Sequence, residues 1–253
     1  MDLGLSGKNA AITGATRGIG RAIADQLAAE GCNVSICARD RDSVGIVVEE
    51  LKSSGVSAMG LALDATDPDA QSAWIAESAS TFGGLDIFIA NVSALHLGTD
   101  EEAWRQSFEV DMMATVYGAE AAIPFLKKSG GGAMVFIASI AALHAASGVR
   151  PYGAAKASVL HYSKGLAREL APDGIRVNSV SPGNIYFEDG VWGRTERDNP
   201  DFFAKMLAAN PMGRMGRPED VASAVVFLAS SAASFISGTN VLVDGALTVG
   251  VQY

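Results

Sequence analysis

Short apolar runs alternate with helix-length segments along most of this chain. Asn9-Ala10-Ala11-Ile12-Thr13 is too short and too uniformly apolar for an amphipathic helix and predicts a buried strand. Runs of the same kind predict strands at 34–38, 59–64, 85–90, 134–138, 175–180 and 240–243. Between them, helical periodicity predicts helices at 21–30, with Ile23, Ala24, Leu27 and Ala28 on one face, and at 41–53, 69–82, 101–128 and 152–170. The long helix at 101–128 is expected to bend near Gly118 and Pro124. Strands separated by helices predict an α/β fold, a doubly wound parallel sheet of about seven strands with helices on both faces. The ligand crevice then lies where strand order reverses, beside the first and fourth strands. No linker or repeat divides residues 1–253, so a single domain is expected.

Composition narrows the function classes. Hydrophobic residues make up 49% and charged residues 19% of the 253, enough apolar material for a covered core. The net charge of −9 repels phosphate backbones and anionic lipid, and no basic stripe offsets it, so neither nucleic acid nor membrane is an expected partner. The N-terminus carries no basic segment followed by an apolar one, so a cytoplasmic location is expected. Residues 221–243 carry no charge, yet their serines and Gly238-Thr239-Asn240 fit a buried helix, a turn and a strand better than a membrane span. If the intervening residues are extended, Cys32 and Cys37 stand about 16 Å apart, too far for a disulfide. The three histidines lack metal-ligand spacing, so no metal is expected.

Two stretches carry chemistry. Gly14-Ala15-Thr16-Arg17-Gly18-Ile19-Gly20 sits between a strand and a helix, the order that presents backbone N–H groups and a helix N-terminus to phosphate. Its Gly-x-x-x-Gly-x-Gly spacing differs from the general Gly-x-Gly-x-x-Gly fingerprint, and alone it also fits a flexible turn. Tyr152 and Lys156 lie four apart on a predicted helix, about 40° apart around the axis and about 6 Å along it. An ammonium near a phenol favours the phenolate, so Tyr152 is expected to have a lowered pKa and to work as an acid/base. A lone pair of this kind more often packs a ring under a solvated amine. Ser139 follows the 134–138 strand, which places its hydroxyl at the ligand-binding edge of the sheet.

Thr13-Gly14-x-x-x-Gly18-x-Gly20, Asp64, Ser139, Tyr152-x-x-x-Lys156 and Pro182-Gly183 occur in this order. Over essentially its whole length the chain resembles a short-chain dehydrogenase/reductase with a Rossmann-type fold. The resemblance implies NAD(P)-dependent interconversion of an alcohol and a carbonyl. Ser139 would orient the substrate oxygen, Tyr152 would exchange its proton, and Lys156 would bind the nicotinamide ribose and lower the pKa of Tyr152. It implies a cofactor site of Gly14, Thr16, Arg17, Gly18, Ile19, Gly20, Arg39, Asp64, Ala65, Asn91, Tyr152, Lys156, Pro182, Gly183 and Ile185. Asp64 would meet the adenine amine, Asn91 would line the cofactor, and Pro182-Gly183 would shape the loop over the nicotinamide. Ala38-Arg39-Asp40 ends the second strand, and Arg39 with Arg17 favours NADP(H) over NAD(H) through a phosphate clamp. The alternative is that Arg39 pairs with Asp40 or Asp42 on the surface.

The chain departs from the family pattern in three places. Ala90-Asn91-Val92-Ser93 stands where Asn-Asn-Ala-Gly is usual, Ala246 replaces a usual glycine, and Asp111 replaces the usual fourth catalytic residue, an Asn. A carboxylate there is expected to oppose phenolate formation at Tyr152. The substrate lid is expected at about 184–213, where Tyr186, Phe187, Trp192, Phe202, Phe203 and Met206 suggest a hydrophobic carbonyl or alcohol. The same residues could simply pack lid helices on the core. The segment from Gly213 to Asp220 looks like the 3-oxoacyl-carrier-protein reductase branch, which makes an acyl thioester the alternative substrate. For an acidic carrier, Lys127 and Lys128 are the only local basic pair, while Asp173 stands where that branch often has a basic residue. A non-catalytic nucleotide sensor would not need Ser139, Tyr152 and Lys156 together. By family analogy a homotetramer is expected, with the apolar 221–243 stretch at an interface.

Overall fold

The computed structural model describes residues 2–96, 98–145 and 148–251. Seven strands form one parallel sheet in the order β3-β2-β1-β4-β5-β6-β7. They are β1 Asn9–Thr13, β2 Asn33–Ala38, β3 Ala58–Ala62, β4 Ile87–Ala90, β5 Gly132–Ile137, β6 Ile175–Pro182 and β7 Asn240–Val243. The order reverses between β1 and β4, as expected of a doubly wound sheet, and opens the crevice at their carboxyl ends.

The strands are largely apolar because both faces of the sheet are covered. Ala10, Ile12, Val135 and Ile137 point into one core, packed by α1 Gly18–Ala29, α2 Arg41–Ser53 and α9 Pro218–Ala229. Ala11, Met134 and Phe136 point into the other, against α3 Pro68–Phe82, α5 Ala114–Lys128 and α6 Pro151–Leu170. Among the described residues no helix is long and apolar enough to cross a membrane.

The predicted 101–128 helix is divided. After α4 Glu101–Gln106 comes a π-helical segment, Ser107–Met113, and only then α5. The irregularity therefore falls upstream of Gly118 and Pro124, and both of those residues lie within α5. The wider π turn contains Asp111 and holds it, fully buried, against α6. The segment between β6 and α9 holds two short helices, α7 Val191–Asp198 and α8 Pro200–Ala208.

Candidate active site

The glycine turn is formed by backbone that only glycine adopts cheaply. Gly14 and Gly18 have φ of 65° and 55°, and a Cβ on Gly20 would collide with the Gly14 carbonyl and the Asn91 amide. Gly18, Ile19 and Gly20 are the first turn of α1, which begins three residues before the predicted boundary. Helices α2, α3 and α4 are each capped by an aspartate, Asp40, Asp67 and Asp100. Helix α1 has no side-chain cap from Arg17 and no acid in its first turn, so its N–H groups stay available to an external anion. This arrangement fits a dinucleotide pyrophosphate. The Asn91 amide donates to the carbonyls of Gly14 at 2.9 Å and Thr13 at 3.2 Å, tying the end of β4 to the turn. From the lid side, Phe187 lies so close that a Cβ on Gly18 would stand 2.7 Å from its Cζ.

The remaining expected cofactor residues sit on the same rim. Arg17 and Arg39 are both exposed, and among the described residues neither forms an ion pair. The Asp40 carboxylate instead accepts the Ser43 N–H at 2.8 Å, capping α2. Past β3, Asp64 is exposed and one of its oxygens accepts from the Thr66 N–H and hydroxyl at 3.0 and 2.9 Å, with Ala65 buried beneath. Pro182 ends β6, Gly183 donates its N–H to the Val243 carbonyl at 2.9 Å, and buried Ile185 pairs with Gly216.

The reaction centre is assembled from three elements. Ser139 follows β5, and its buried Oγ accepts the Ala141 N–H at 3.1 Å. Tyr152 stands on the first turn of α6, started by Pro151, and Lys156 Nζ lies 5.9 Å from the Tyr152 ring centre. Lys156 is buried, donates to the Ile137 carbonyl at 2.9 Å, and faces the Asp111 carboxylate at 3.1 Å. That pair is close but not aligned as a hydrogen bond, and neither Asp111 oxygen has a hydrogen-bond partner among the described residues.

The net shift of Tyr152 is opposite to the expected one. Burial pushes the phenol above its ordinary value, the charge of Lys156 pulls it down, Asp111 pushes it up, and hydrogen bonding with Ser139 and Ser93 pulls it down. The lysine acts in the expected direction; desolvation outweighs it.

A phenol, a buried lysine and a serine thus stand at the crevice beside a glycine turn open to phosphate. Comparison with known proteins supplies the family. The family model described as Enoyl-(Acyl carrier protein) reductase matches residues 14–248. Isoepoxydon dehydrogenase patN of Penicillium expansum is 37% identical over 259 residues, covering 100% of this chain and 99% of the relative. The chain belongs to the short-chain dehydrogenase/reductase family. Among short-chain dehydrogenase/reductases, the 3-oxoacyl-acyl-carrier-protein reductase FabG of Staphylococcus aureus is 35% identical, covering 95% of this chain and 98% of the relative. The L-sorbose reductase of Gluconobacter frateurii, solved with NADPH and L-sorbose, superposes with a TM-score of 0.92 at 34% identity, covering 99% of this chain and 100% of that one. This short-chain dehydrogenase/reductase is therefore an oxidoreductase acting on alcohols and ketones.

Within that family frame, sequence reasoning missed two features of the site. The Ile137 carbonyl that anchors Lys156 is a backbone group with no residue signature. Ser93 was visible only as a departure from the usual glycine, although it follows its strand much as Ser139 follows β5.

Proposed function

We propose that this enzyme interconverts a secondary alcohol with an apolar body and its ketone, with NADP(H) as cofactor and Tyr152 as acid/base. The observation that carries the reading is the convergence of Ser139, Tyr152 and buried Lys156 beside the uncapped N-terminus of α1. A dinucleotide held by its pyrophosphate at the glycine turn would supply or accept the hydride through its nicotinamide. Ser139 holds the substrate oxygen, and Tyr152 gives it a proton in reduction or removes one in oxidation. Lys156, fixed by the Ile137 carbonyl, favours the phenolate, and Asp111 opposes it. Glycines 14, 18 and 20 with Thr16 and Ile19 hold the pyrophosphate side, and Asp64, Ala65, Asn91, Pro182, Gly183 and Ile185 line the remainder.

Support for NADP(H) comes from Arg17 and Arg39, exposed, without ion pairs among the described residues, and with Ala38 offering no acid to a ribose. The apolar substrate body rests on the 184–213 lid. Part of its aromatic surface is already used internally, Tyr186 against Phe203 and Trp192 against Phe202, which leaves Met206 and Leu207 as further half-buried apolar groups. The FabG relative favours a second reading, an acyl-thioester reductase. Against a carrier-protein partner, Lys127 is paired with Asp173 at 2.8 Å. A panel of cyclic ketones, sugars and 3-oxoacyl thioesters, followed by nicotinamide absorbance with both cofactors, separates the readings. Preferred turnover of the thioesters would move the assignment to the second. A homotetramer is also proposed, supported by the fully exposed Phe235 ring within the predicted interface stretch; light scattering that reads a monomer would overturn it.

A further inference from the structure

Strands β4 and β5 pair in parallel with Ile87 opposite Ala133 and Ala90 opposite Phe136. Continuing that register past the end of β4 aligns Ser93 with Ser139. The two serines are also held alike. Ser139 Oγ accepts the Ala141 N–H at 3.1 Å, and Ser93 Oγ accepts the Leu95 N–H at 3.1 Å. A hydroxyl has one proton and two lone pairs, so each serine has given one lone pair to the backbone and keeps its O–H to donate. Leu95 has a φ of 45°, a left-handed backbone that a leucine adopts only under constraint. The Ser93–Leu95 hydrogen bond thus fixes a strained turn just past the carboxyl end of β4, where Ser93 is exposed.

We infer that Ser93 is a second catalytic serine, donating its O–H to the oxygen of Tyr152. This rests on the reading of Tyr152 as acid/base. In reduction, the hydride adds to the carbonyl carbon and the phenol proton passes to the carbonyl oxygen, leaving a phenolate that keeps the Ser93 hydrogen bond. In oxidation the same bond stabilises the base that takes the alcohol proton. The glycine usual at this position in the family has no hydroxyl to give. The groups acting on the phenol are Lys156 from its own helix, Asp111 from the π segment, Ser139 from the end of β5 and Ser93 from the end of β4. Ser93 and Asp111 therefore push in opposite directions, and Ser93 offsets part of the cost of carrying a carboxylate at position 111.

The test reads Tyr152 directly, without substrate. Protein carrying Cζ-labelled tyrosine is titrated by NMR, with Tyr152 assigned from Tyr152→Phe, in wild type, Ser93→Ala and Ser93→Thr. A lost hydrogen bond to the charged form raises the pKa, so the Ser93→Ala midpoint is expected about one pH unit higher. Ser93→Thr, which keeps the hydroxyl, is expected near wild type. In the pH profile of kcat/KM for alcohol oxidation, the Ser93→Ala limb moves to higher pH by the same amount. An unchanged midpoint in Ser93→Ala overturns the inference, and so does a raised KM with no change in titration, which would give the hydroxyl to the substrate instead. Loss of the midpoint shift together with normal folding of Ser93→Thr separates the hydroxyl from a role in loop shape. Absence of any hydride transfer in wild type defeats the proposed function instead, and the titration still decides whether Ser93 acts on Tyr152.

Discussion

Asp111 and Lys156 face each other at 3.1 Å in an interior where the carboxylate has no exposure and the ammonium almost none. The pair puts a negative charge beside the lysine that the family uses to favour a phenolate. Its effect on Tyr152 follows from sign alone: a negative neighbour holds an acid's proton on, so Asp111 pushes the phenol upward. Under the proposed acid/base role of Tyr152, that push favours carbonyl reduction and displaces oxidation to alkaline pH.

The direct prediction is for Asp111→Asn. Removing the charge removes an upward push on Tyr152, so the apparent pKa in the kcat/KM profile for oxidation is expected to fall by about one pH unit. An unchanged or raised value would take Asp111 out of the mechanism.

At the cofactor rim, Arg39→Ala is expected to lower the preference for NADPH over NADH, measured as the ratio of kcat/KM values, by about tenfold or more, as loss of a charge-assisted phosphate contact would. Arg39 forms no ion pair among the described residues, so the substitution frees no carboxylate partner. A wild type that favours NADH, or an unchanged ratio in the variant, would make Arg39 an ordinary surface residue.

Ala246 has a φ of 63° in the exposed turn after β7, at a position where the family usually has glycine. The left-handed conformation costs an alanine about 1–2 kcal/mol, and glycine forfeits about 0.5–1 kcal/mol of this through its greater unfolded-state freedom. Ala246→Gly is expected to stabilise the protein by about 0.5–1 kcal/mol, raising Tm by about 1–3 °C. A lowered Tm would show that the turn carries no such strain.

Much of the architecture was legible because a parallel sheet buried on both faces writes itself as short apolar runs, and β1 was read to the residue. The placement of Ser139 after β5 and of Tyr152 and Lys156 on one face of α6 was legible because it lies in side-chain type and spacing. What escaped depends on pairing across the sheet or on burial. No periodicity announces the π segment that carries Asp111, and the alignment of Ser93 with Ser139 emerges only when the β4–β5 register is continued past the end of β4. The direction of the Tyr152 shift failed for a related reason: the four-residue spacing shows the lysine and says nothing of the desolvation that outweighs it. The lid aromatics were legible as apolar, while their pairing with each other was not.

The central claim is that Tyr152 moves the proton of an alcohol–ketone interconversion. The most direct test is Tyr152→Phe, with turnover followed by nicotinamide absorbance on the best substrate of the ketone and alcohol panel, and cofactor binding measured alongside. The substitution keeps the ring and removes only the transferable proton. The account predicts a fall in kcat of about a hundredfold or more with cofactor affinity nearly unchanged. A Tyr152→Phe enzyme that retains wild-type kcat would contradict it.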